Sequence, residues 1–221
     1  MKMQEFDTSV ALEFDLSYKM TGQIKESIET YGDCRILLSG GKTPWGLYNK
    51  LSVAEIDWSK VYIGLVDERL VHPDSFESNE SSLREVFFEH SNSIVSMLPN
   101  WENHSDNLAL VRNSYRNFMD RTDIVVLGMG NDGHTASLFP GDPASEELLY
   151  SNAIGIYNTH APAHPMNRIT CSKQMLVNAT HVYLLITGEE KRAVFNQAEE
   201  KHFPIAFIAR EKDDMEVFYT K

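Results

Sequence analysis

An α/β fold, with a mostly parallel sheet and helices on both faces, is what this sequence predicts, and three observations predict it. Apolar runs and amphipathic segments alternate along nearly the whole chain. Several runs, among them RILLSG (35–40), DIVVLGMG (123–130) and HVYLLITG (181–188), are continuously apolar, as strands buried on both faces are. The 221 residues, 42% of them hydrophobic, suffice for one sizeable core. No Gly/Ser-rich linker, low-complexity tract or internal repeat divides them, so residues 1–221 read as one domain.

The elements follow in order. Residues 8–31 read as a long amphipathic helix: Val10, Phe14, Tyr18, Ile24, Ile28 and Tyr31 recur at helical spacing, and Gly32 is a natural stop. RILLSG is a short strand ending in glycine. TPWGLYNKLS (43–52) opens as a helix, with Thr43 as cap and Pro44 at the first helical position. KVYIGLVDE (60–68) is the next strand. After a loop rich in His, Pro, Asp and Ser, a helix starts near 79–82, and SIVSML (93–98) reads as a further strand. Residues 103–121 are helical, and DIVVLGMG is the most apolar strand to that point. AIGIYN (153–158) is a weaker strand, HVYLLITG a strong one with helix 189–200 behind it, and PIAFIAR (204–210) closes the apolar set.

Charge and cysteine content restrict the function classes. The net charge is −12, from 32 acidic and 20 basic residues. Such a surface repels nucleic acid and anionic lipid, so neither is expected as a partner, and an anionic substrate would need a local basic pocket. Cys34 and Cys171 have neither metal-site nor C-x-x-C spacing, and two buried reduced thiols are expected rather than a disulfide. The start MKMQEFDTSV has no apolar signal-peptide core, and no apolar stretch approaches ~20 residues, so the cytoplasm is expected. Nothing in the sequence specifies an oligomeric state.

In open parallel sheets, ligands bind beyond the carboxyl ends of the strands. Those ends carry Ser39, Gly40, Gly41, Lys42 and Thr43; then Asp67, Glu68 and Arg69; then Gly128 to Thr135; then Thr187 and Gly188, followed by Lys191. A parallel sheet would bring all four groups to one rim. GGKT is not a Walker A loop, because the required earlier glycine position falls on Ile36, inside the strand. A smaller anion site, made of free N–H groups at a glycine-rich strand–helix turn, survives, with a plain turn as the alternative. Gly128, Gly130 and Gly133 spell G-x-G-x-x-G, but AIGIYNTH lacks the acid of a dinucleotide site, and Asp132 stands where a pyrophosphate would approach. No nicotinamide or other cofactor is expected.

His134 lies between glycines with Asp132 two residues away, and an imidazole is the natural base near neutral pH. G-x-S-x-G is absent, and histidines 134, 160, 164 and 181 lack metal-site spacing. Water activated by histidine is therefore expected, with no metal. Asp67 and Arg69 share one face if the strand continues, with Glu68 pointing away; a surface ion pair is the alternative. Lys191 lies in the first turn of its helix, an unfavourable place unless an anion sits between lysine and helix.

Five segments in this order, SGGKTP, DER followed by Ser78-Asn79, GMGNDGHTASLFPG, NRIT (167–170) and TGEEK (187–191), closely resemble the 6-phosphogluconolactonase family, in a wider group that includes glucosamine-6-phosphate deaminase. The match spans about 39 to 191, and GMGNDGHTASLFPG is its specific part. The resemblance implies a modified Rossmann-like sandwich. It implies hydrolysis of 6-phospho-D-glucono-1,5-lactone to 6-phosphogluconate in the oxidative pentose phosphate pathway. It also implies a phosphate held by the Ser39–Thr43 turn, Arg168 and Lys191, and a lactone carbon facing His134. Arg69 or the glycine-loop N–H groups would stabilise the oxyanion, and Asp132 or Asp67 would orient His134 or the sugar hydroxyls. Lys42 departs from the serine usual in the lactonases and adds a cation. Two alternatives remain: a deaminase/isomerase, whose loop typically continues G-H-I-A-F-N-E-P where this chain reads G-H-T-A-S-L-F-P, and a sugar-phosphate sensor, which would carry a basic helix-turn-helix segment that this chain lacks.

Overall fold

The structure is a computed structural model that describes residues 2–221, except the side chains of residues 104 and 105. The first element is a strand, β1 (Lys2–Phe6), which no apolar run or periodicity in the sequence marks. Helix α1 (Ser9–Tyr31) is capped by the Thr8 hydroxyl and stopped by Gly32 in the left-handed conformation, φ 85°. Strand β2 (Cys34–Leu38) and helix α2 (Trp45–Ser52) follow. The 60–68 run then divides into β3 (Val61–Leu65) and β4 (Asp67–Arg69). Next come α3 (Asn79–Val86), α4 (His104–Ser114), α5 (Arg116–Asp120) and β5 (Ile124–Leu127). Then follow α6 (Pro143–Tyr150), β6 (Ile156–His160), β7 (Asn167–Cys171) and α7 (Lys173–Val177). The chain closes with β8 (His181–Thr187), α8 (Glu189–Asn196), α9 (Pro204–Glu211) and β9 (Glu216–Thr220).

Six strands form one all-parallel sheet in the order β1-β9-β8-β5-β2-β3. Three of its interior strands, β2, β5 and β8, are the continuous apolar runs, and β5 is buried at every position. Helices flank this sheet, so the predicted α/β class is met. No helix among the described residues is long and apolar enough to cross a membrane. Cys34 and Cys171 are both buried free thiols, as expected.

A second, three-stranded antiparallel sheet, β4-β7-β6, is the main departure from the predicted single sheet. Val66 is the joint. Its N–H donates to Leu38 O in the large sheet (3.0 Å) and its carbonyl accepts from Cys171 N in the small one (2.8 Å). The predicted strand at 153–158 is β6, which starts three residues later and ends two later, and it belongs to the antiparallel sheet rather than the parallel one.

Other expectations are corrected by side-chain partners. SIVSML is not a strand: it makes one bridge, Ile63 to Ile94. The Tyr115 hydroxyl accepts from Leu65 N (2.8 Å) and donates to Val95 O (3.2 Å), occupying the groups a longer ladder would use. The 103–121 helix breaks at that same tyrosine. PIAFIAR is a helix with Pro204 in its first turn, and the last strand lies beyond it. Thr43 does not cap α2; the helix starts at Trp45, with Pro44 in the cap position and no side-chain bond. On α1 the buried stripe is Leu12, Leu16, Met20 and Ile24, while Val10, Phe14, Tyr18 and Tyr31 face out.

Candidate active site

The parallel arrangement brings the four predicted groups to one rim around a cavity of about 400 Å³, within the range of small-molecule sites. Ser39, Gly40, Gly41, Lys42, Thr43, Asp67, Arg69, Asp132, His134, Arg168 and Lys191 all line it.

The glycine loop after β5 presents the imidazole. Its turns are closed by Gly133 N to Gly130 O (3.0 Å) and Gly130 N to His134 O (2.9 Å), and the Thr135 hydroxyl reaches back to Gly128 O (2.9 Å). The His134 Nδ1 lies 2.5 Å from Asp132 Oδ1, which also accepts the His134 backbone N–H at 3.1 Å. A carboxylate accepts only, so this bond puts a proton on Nδ1 and leaves Nε2 as the base. Burial raises the Asp132 carboxyl, but the hydrogen bond and charge of His134 outweigh it and hold the group below the usual carboxylate range. A Cβ on Gly130 would stand 2.3 Å from the imidazole, so the glycine makes room for the ring.

The turn after β2 is a second built feature. Gly41 takes φ 86°, a left-handed conformation open to glycine. Among the described residues, the N–H groups of Gly40, Gly41, Lys42 and Thr43 have no protein acceptor, and the Ser39 hydroxyl is buried without a partner. Such donors favour an anion.

Cations face them. Arg69 on β4 stands directly opposite Arg168 on β7 in the antiparallel register. Like charges so placed repel unless an anion lies between them. Neither arginine has a carboxylate ion pair among the described residues. Arg69 donates to Glu77 O (2.6 Å) and Arg168 Nε to Pro165 O (2.8 Å), while the Arg69 Nε is buried without a partner. Burial, and then the charge of Arg69, lower the Arg168 pKa. Burial likewise lowers that of Lys191, against the pull of Glu190.

Asp67 is buried and receives the Ser137 hydroxyl at 2.5 Å. It shares the cavity side with Arg69, while Glu68 points away, as the strand geometry predicted.

Three contributors escaped the sequence reading. Phe139 packs against the His134 ring (centroids 4.7 Å apart) and under the Arg168 guanidinium (5.8 Å), so base and cup lie against one ring. Asn79 lines the cavity and donates to Asp67 O (3.0 Å). The 161–164 turn between β6 and β7 forms another wall. Phe139 lies inside GMGNDGHTASLFPG, where it reads as an ordinary apolar residue, and the 161–164 turn has only its prolines as a signal.

The family model described as glucosamine-6-phosphate isomerases/6-phosphogluconolactonase matches residues 7–217. A 6-phosphogluconolactonase of Neisseria meningitidis is 30% identical over 229 residues, covering 98% of each chain. One of Helicobacter pylori is 33% identical, covering 94% of each. The crystal structure of a 6-phosphogluconolactonase from Shewanella baltica superposes with a TM-score of 0.91 at 34% identity, covering 100% of this chain and 98% of that one.

Proposed function

Because this chain belongs to the glucosamine-6-phosphate isomerase/6-phosphogluconolactonase family, we propose that it hydrolyses 6-phospho-D-glucono-1,5-lactone to 6-phosphogluconate, with His134 as the base. One observation carries the assignment of roles. An imidazole fixed by a carboxylate faces a cavity in which two register-paired arginines make no ion pair with a carboxylate among the described residues.

The substrate phosphate carries nearly two negative charges. The cup for it is the Ser39–Thr43 turn with Lys42, Arg69, Arg168 and Lys191, where the guanidinium groups are suited to bidentate contact. Arg69 is assigned to the cup rather than to the oxyanion because it is the register partner of Arg168. With the phosphate held there, the lactone carbonyl lies toward His134. The Nε2 takes a proton from water, whose oxygen adds to the carbonyl carbon. Backbone N–H groups of the glycine loop, other than those of Gly130, Gly133 and His134 that bond within it, stabilise the oxyanion; such donors are worth ~3 kcal/mol each. The bond from carbon to ring oxygen then breaks, and the imidazolium returns the proton to that oxygen. Asp132 holds the imidazole in the required tautomer and balances its charge. Asp67 is left to orient substrate hydroxyls. A phosphorylated substrate does not cross membranes unaided, which goes with the cytoplasm as the site of action.

The test is acid release from freshly generated 6-phosphogluconolactone, compared with spontaneous hydrolysis. His134→Ala should lower kcat by ~10²-fold or more. A folded variant with near-normal turnover removes His134 from the role, and a wild-type rate equal to the spontaneous one removes the function.

A further inference from the structure

Glu68 takes no part in the steps above, yet it is the most heavily hydrogen-bonded carboxylate near the cavity. Its side chain turns away from the ligand space and is 0% exposed. The Oε1 atom accepts from Arg69 N (2.7 Å) and Asn79 N (2.8 Å). The Oε2 atom accepts from Glu80 N (2.6 Å) and the Ser78 hydroxyl (3.0 Å). Burial pushes this carboxyl up to about 7, against those four bonds. Three of these donors are backbone N–H groups, which cannot accept an acid proton, and they meet both carboxylate oxygens, so the cage favours the carboxylate form. Asn79 and Glu80 are the first residues of α3, so the carboxylate also takes up orphan N–H groups of that helix and meets its positive end.

The segment fastened to Glu68 reaches back to the cavity at two points. The Glu77 carbonyl, next to Ser78, accepts from the Arg69 guanidinium. The Asn79 carboxamide lies against the phosphate turn so closely that a Cβ on Gly40 would come within 2.0 Å of its Oδ1. Arg69 aim and Gly40 approach are thus set by one short stretch of chain, and Glu68 fastens Ser78, Asn79 and Glu80 of it.

We infer that Glu68 is the positioning residue of the anion cup, acting through Arg69 and through Asn79 rather than by touching substrate. The inference rests on reading the cavity as a sugar-phosphate site. Glu68→Gln tests it, because the amide keeps the volume but sets an NH2 against a backbone N–H whichever way it turns. In the folded variant, KM for the lactone and Kd for 6-phosphogluconate should rise roughly tenfold or more, with kcat changed far less. Calorimetry with inorganic phosphate as the probe should give the same weakening. That measurement needs no lactone chemistry, so it separates this inference from the lactonase reading. A loss of kcat at unchanged KM and unchanged phosphate affinity overturns the inference and leaves Glu68 a merely structural acid. If Glu68→Gln does not fold, Ser78→Ala removes one donor of the four. A phosphate Kd raised about two- to threefold supports the inference, and an unchanged Kd overturns it.

Discussion

Gly130→Ala tests the geometry of the base without removing a functional group. The backbone at Gly130 is not left-handed, so alanine is admissible there and the cost is steric. The added carbon would stand 2.3 Å from His134 Nδ1 and Cε1, and 2.6 Å from Asp132 Oδ1, where ordinary contact begins at 3.4 Å. Something must therefore move by about 1 Å. Phe139 also packs against the ring, at 4.7 Å between centroids. Displacing the imidazole breaks its bond to Asp132, while displacing the loop strains the bonds that close it. Overpacking of this kind costs about 1–3 kcal/mol of stability, and a base misplaced by about 1 Å costs on the order of 10²-fold in rate. Initial rates on fresh lactone, with circular dichroism and a thermal melt as controls, measure both. Gly128→Ala is the matched comparison, since its new carbon meets only Ser39 Oγ at 3.9 Å. A Gly130→Ala enzyme with kcat within a few-fold of wild type and an unchanged melt would refute the tight approach of ring to loop.

Further outcomes are expected at the cup and in pH dependence. Arg168→Ala should raise KM for the lactone by about 10- to 100-fold with little change in kcat, the scale of a lost charged hydrogen bond; an unchanged KM would move the phosphate elsewhere. The Asp132 carboxyl titrates below its unfolded value, so its stabilising contribution is present above that value, about pH 4, and is lost as pH falls through the folded one. The difference in melting temperature between wild type and Asp132→Asn should therefore shrink as pH falls below about 4. A difference that grows as pH falls below about 4 would contradict the sign. With the Lys191 pKa lowered, KM should climb at alkaline pH earlier than an exposed lysine would cause, and Lys191→Arg should move that rise upward.

The rim of the site was legible because strand ends in a parallel sheet gather at one edge, and each of the four strand-end groups sends residues to the cavity, although Glu68, Thr187 and Gly188 do not line it. Where one residue could not reveal its environment, the reading failed. The α1 stripe was assigned from spacing alone, and Val10, Phe14, Tyr18 and Tyr31 share a spacing that fits either face. Hydropathy reports a periodicity, but which side the core covers is set by α2 and the sheet. Likewise SIVSML has strand-like composition, and only the Tyr115 hydroxyl, far along the chain, removes the ladder it would need.

By itself, the sequence determined the order of apolar runs, the parallel class, the glycine loop with its Asp132–His134 pair, and the turn at Ser39–Thr43. These depend on local propensity and short-range spacing, which a chain carries before it folds. Only the tertiary structure decided that the strand through Asp67 bends at Val66 into a second sheet, that Arg69 meets Arg168 in register, that Phe139 lies between base and cup, and that Glu68 gathers four donors. Each of these is a contact that hydropathy and spacing along the chain do not specify. Their partners are chosen by the shape of the packed core, and no local pattern encodes that choice.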